Sequence, residues 1–113
     1  MKSAFLAAIA VLSILEPAAA RTVEELATKL GKLAGNYARA TFLCKANGIE
    51  MPNLANLNPD QAAAMLDMNK RYPDYFAYGF EQGQKDANEF LANNRELPKG
   101  CAEIKAIFIP SKK

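Results

Sequence analysis

Two cysteines, Cys44 and Cys101, are the most reactive side chains in this chain of 113 residues. An even pair without metal-type spacing, in a chain that opens like an exported one, predicts a disulfide rather than a thiolate nucleophile or a zinc site. The sequence holds no histidine, which removes the usual general base and the commonest metal ligand. Serine occurs at Ser3, Ser13 and Ser111 alone, near the two ends of the chain, so a Ser-His or Cys-His arrangement is excluded. The glycines fall within helical patterns and form no phosphate loop, and no acidic run resembles a calcium loop. Carboxylates and tyrosines remain, and scattered carboxylates read as solvated charges. A glycosidase-type carboxylate pair is the one catalytic arrangement the composition permits. The reading is a non-enzyme with no cofactor and no metal.

Binding chemistry is what the residues offer. Tyr75, Tyr78, Gln82, Asp86 and Glu89 recur at helical spacing, off the apolar face of their helix. Tyrosine at a polar border presents a rigid face and a hydroxyl that tolerates water, as interface residues do. These five are the candidate contact surface. The competing reading packs both rings against the loop of residues 49–57. Phe42 and the Ile49-Glu50-Met51 segment are the next candidates.

The elements that must position these residues follow from periodicity and caps. Residues 1–20 combine a positive start (Lys2), an apolar run from Ala4 to Leu15, Pro17 as a helix stop, and Ala18-Ala19-Ala20 before an expected cleavage. That run is shorter than the roughly 20 residues needed to cross a bilayer, so it reads as a signal peptide and not an anchor. Residues 21–113 then form a single domain, periplasmic or secreted. Its net charge of +2, with signs interspersed, gives no footprint for nucleic acid or anionic lipid.

Thr22-Val23-Glu24-Glu25 reads as a capping box. Val23, Leu26, Leu30, Leu33, Tyr37, Ala40 and Cys44 then share one side of a first helix, which Asn47-Gly48 stops. Gly31, Gly35, Ala38 and Phe42 line another side. Glycines inside a helix are either tolerated at about 1 kcal/mol each or mark a close neighbour. Residues 49–57 read as loop. Asn58-Pro59-Asp60-Gln61 starts a second helix, running to about Tyr72 before Pro73 breaks it. A third runs from Asp74 to about Asn93, burying Phe76, Gly79, Phe80, Gly83, Ala87, Phe90 and Leu91, and Asn93-Asn94 ends it. Leu97-Pro98-Lys99-Gly100 reads as a turn, and Cys101–Phe108 as a short helix, with a strand as the alternative. Residues 111–113 read as a solvated tail.

The expected fold is therefore all-α: a small disulfide-pinned bundle of three long helices plus a short C-terminal element. Such a scaffold, without catalytic groups, predicts a protein that works by contact with another protein, as an inhibitor or immunity-type factor. Two alternatives stand beside it. One is a periplasmic stress chaperone of the acid-activated type, which shares only size and architecture with this chain. The other is a carrier of small apolar ligands in the bundle interior.

Overall fold

A computed structural model describes residues 15–93 and 96–110, with side chains from Thr22 onward except at the two omitted positions. The start of the expected signal peptide, residues 1–14, Asn94 of the expected helix stop, and the tail at 111–113 lie outside the described residues. Five helices follow in order: α1 (Leu15–Ala46), α2 (Leu54–Leu57), α3 (Pro59–Arg71), α4 (Pro73–Ala92) and α5 (Leu97–Phe108). No strand occurs among the described residues, so the all-α reading holds and Cys101–Phe108 is helical.

Two proline expectations are corrected. Pro17 does not stop a helix, since α1 is helical on both sides of it, and Pro98 sits in the first turn of α5, not in a connecting turn. At Pro98 the physics is simple: first-turn amides have no intrahelical acceptor, so a missing N–H costs nothing there. Because α1 runs straight through it, Thr22 is not an N-cap. The other caps match their sequence signals. Gly48 adopts φ +79°, and the Ile49 amide donates back to the Cys44 carbonyl at 2.9 Å, closing α1. The Asn58 side chain accepts from the Gln61 amide at 3.1 Å.

Only half of the expected capping exchange at Asn58 forms. Residues 49–57 are not all loop: Asn53 caps the single turn α2, and the Asn58 amide donates to Leu54 at 2.8 Å. That amide is therefore no longer open to the Gln61 side chain, whose Oε1 is buried with no hydrogen-bond partner.

The glycines decide how the long helices meet. A Cβ placed on Gly31 would overlap the Phe76 carbonyl, and one on Gly35 the Phe80 carbonyl. Reciprocally, a Cβ on Gly79 would overlap the Thr28 carbonyl and one on Gly83 the Lys32 carbonyl. The neighbour is backbone in all four cases, so α1 and α4 touch main chain to main chain. Small residues permit such an approach, and Cα–H groups then lie against carbonyl oxygens. Partner numbers rise together along both helices, which makes α1 and α4 parallel. The antiparallel α3 carries the chain back between them.

The opposite side of α1 is covered by α5. Cys44 and Cys101 are bonded, with Cα atoms 6.3 Å apart and a sequence separation of 57. From that pin α5 descends antiparallel to α1, burying Ile104 and Phe108. The Phe108 ring meets Tyr37 edge-on at 4.8 Å between centroids. The Asn58 side-chain amide donates to the Phe108 carbonyl at 2.9 Å, tying the end of α5 to the start of α3. Met51, Met65, Phe76 and Leu91 complete the core with Tyr37, Ala40 and the disulfide.

Two apolar-face expectations fail where cover runs out. Leu26 is 45% exposed, because α5 ends at the level of Tyr37 and does not cover that side of the early turns of α1, whose other side packs on α4. Phe90 is 37% exposed, since α4 meets α5 over a short stretch, and Phe80, beside Met65 and Leu66 of α3, is only half-buried.

Candidate functional site

The five candidate positions lie along one side of α4, as their spacing requires, but they differ in surroundings. Tyr78 is 61% exposed and Tyr75 43%, so neither ring packs on the 49–57 loop. Tyr37 does that instead: its hydroxyl donates to the Pro52 carbonyl at 2.7 Å, and burial raises its phenol above the ordinary range. Tyr75 lies across from the early turns of α1. A hydrogen bond to Glu24 and that carboxylate's charge, with lesser help from burial and Asp74, raise its phenol as well. Its ring lines an open cleft with Glu24, Glu25, Thr28 and Lys29.

Gln82 is half-buried, whereas Asp86 and Glu89 are exposed. Asp86 reaches back to Lys32 of α1 at 3.5 Å, both side chains being about half exposed. Such a pair fixes orientation more than it stabilises. About two turns further along α1, the Arg39 guanidinium donates to the Asn88 side chain at 2.8 Å and lies 5.1 Å from the Phe42 ring centroid. Phe42 remains 61% exposed, while Met51, named beside it as a fallback surface, is buried in the core. Tyr72 sits at the α3–α4 corner, half-buried, with Arg71 over its ring.

Sequence reasoning missed the contribution of α5. Two adjoining clefts flank Ile107 of α5, one against α1 and the other reaching Asp86 and Phe90 of α4, with Asn36 and Ile107 common to both. Ile107 is 64% exposed. Its place in an apolar tetrad with Ile104, Phe108 and Ile109 was visible in the sequence. Helical phasing of α5 from Leu97 would have put it at the edge of the face that buries Ile104 and Phe108.

Among the described residues no group of three or more histidine, cysteine, aspartate or glutamate side chains is placed to hold a metal ion. No described helix is long and apolar enough to cross a membrane. The chain has no match among family models, curated proteins or solved structures, so its function is argued from this geometry.

Proposed function

We propose that the chain is an exported binding protein, periplasmic or secreted, that acts by contact with another protein as an inhibitor or immunity-type factor. Tyr78 carries the reading. A ring 61% exposed on a helix that is locked to α1 by four glycines is a rigid, presented aromatic, the side-chain type that anchors interfaces. Tyr75 and Gln82 flank it, and Asp86 and Glu89 supply a polar rim. Residues 1–20 serve as the export signal, and the disulfide suits an oxidising compartment.

The reading is tested with purified protein as bait in an envelope extract at neutral pH, wild type against Tyr78→Ala. One stoichiometric partner, retained by the wild type and lost by a folded Tyr78→Ala, supports it. Many weak clients indifferent to Tyr78 would point to the chaperone alternative. That alternative has little to act on here, because among the described residues no charged side chain is buried and the ion pairs are exposed. The carrier alternative is disfavoured by a bundle whose two longest helices touch backbone to backbone.

A further inference from the structure

The groove around Ile107 has two lobes of opposite charge, one between α1 and α5 and one that also reaches α4. Lys29 and Lys32 rim one lobe, over Leu33 and Phe108. Asp86 and Glu103 rim the other, over Phe90 and Ile104. Asn36 and Ile107 line both lobes and form the saddle between them. The lobes are similar in size, about 370 and 450 Å³. Lys32 and Asp86 pair with each other across the saddle in the same chain. Lys29 and Glu103 have no ion-pair partner among the described residues.

We propose that a second copy of this chain closes the groove, related by a two-fold axis through the Ile107 saddle. A two-fold interface must be self-complementary, each patch meeting its own counterpart in reverse. This groove satisfies that condition. Rotation by half a turn sets the basic lobe of one protomer on the acidic lobe of the other and brings Lys29 opposite Glu103 twice. It also places the two Ile107 side chains together at the centre, where interface cores are apolar and depleted of charge. A different protein would have to carry both lobes at the same spacing, and this chain already carries them. Tyr78 lines neither lobe and stays outside the interface. Asp86, at the rim of the proposed partner surface, is the one residue the two surfaces share; the dimer otherwise rests on separate observations and presents Tyr78 twice.

The test is sedimentation of the purified protein across the micromolar range, with circular dichroism to confirm folding of each variant. The wild type should dimerise, more weakly at high salt. Ile107→Glu should weaken dimerisation at least about a hundredfold, because the buried charge is introduced twice. Lys29→Glu and Glu103→Lys should each weaken it about tenfold or more, since each creates two like-charge pairs. Mixing the two single-charge variants should restore a dimer, because the mixed pair is complementary at both contacts. These three side chains are exposed and outside the core, so folding should survive. If Ile107→Glu nevertheless unfolds, the charge variants decide alone. A wild type that stays monomeric throughout, or a dimer indifferent to both charge reversals, overturns the proposal, as does a mixture that recovers nothing. Loss of the extract partner with Tyr78→Ala would leave this outcome unaffected, and the reverse also holds.

Discussion

Replacing Gly31 with alanine tests whether the α1–α4 seam is a backbone contact, because two effects of opposite sign compete. Alanine is the better helix former by about 1 kcal/mol at an interior position. If Gly31 were merely tolerated, Gly31→Ala would raise the melting temperature. The structure places the new methyl on the Phe76 carbonyl, with the Phe76 carbonyl carbon and Cα also within about 3 Å. A carbonyl inside a helix cannot rotate away as a side-chain tip can, so α4 must move as a body. Overpacking of this kind costs about 1–3 kcal/mol or more. The shift also loosens the contacts at Gly35, Gly79 and Gly83, each atom pair forfeiting part of ~0.1–0.2 kcal/mol. We expect a net destabilisation of about 2 kcal/mol after the propensity gain, or about 10 °C for a domain of this size. Thermal and urea unfolding followed by circular dichroism measure it. Combining Gly31→Ala with Gly79→Ala should cost less than the sum of the two, since the first substitution has already parted the helices. An increase in melting temperature for Gly31→Ala, or full additivity of the pair, would refute the close seam.

Three further outcomes follow from the same structure. Cys44→Ser should lower stability by about 2–5 kcal/mol, read from unfolding curves, and intact mass after alkylation of the native protein should show no modified thiol. Tyr78→Ala should leave stability within about 1 kcal/mol, as the ring is mostly in solvent, while weakening partner binding by about 2 kcal/mol in titration calorimetry; a strongly destabilised variant would mean the ring belongs to the core. Burial raises the Tyr37 phenol above its ordinary value of 10.0, so the folded state holds that proton more tightly than the unfolded state. The resulting stability is complete below pH 10.0 and is lost as pH rises through the higher folded value. Thermal unfolding at rising alkaline pH should show that loss, and Tyr37→Phe should blunt it at the expense of the hydrogen bond to Pro52.

Much of the fold was legible because it rests on local chemistry. The Asn58 cap on Gln61 and the Gly48 stop each act within a few residues of themselves, and the α4 face of Phe76, Gly79, Gly83, Ala87 and Leu91 is a matter of phase. Pro98 misled because a proline's meaning depends on its position within a turn, which is clear only once the helix start is known. Leu26 and Phe90 obey the helical period yet stay partly exposed, since the length and tilt of a covering helix are tertiary facts. The tyrosine side was readable from spacing along one helix. The groove was not, because Lys29, Asp86 and Glu103 belong to three helices and share a surface only through packing.

The parallel pairing of α1 with α4 sets an order on folding. Antiparallel neighbours joined by a short turn can zip from that turn, but parallel ones cannot. The seam joins residues such as Gly31 and Phe76, or Gly35 and Phe80, and its loop-closure entropy must be met before any seam contact rewards it. The tight α3–α4 corner at Tyr72 should therefore form first and present Gly79 and Gly83 to α1 as a prepared track. Cys101 comes within reach of Cys44 only when α5 docks on the assembled body, so oxidation would seal a finished topology without guiding the search for it. A reduced chain should then acquire most of its helical signal before its thiols become protected, an interval that pulsed alkylation during refolding would make visible.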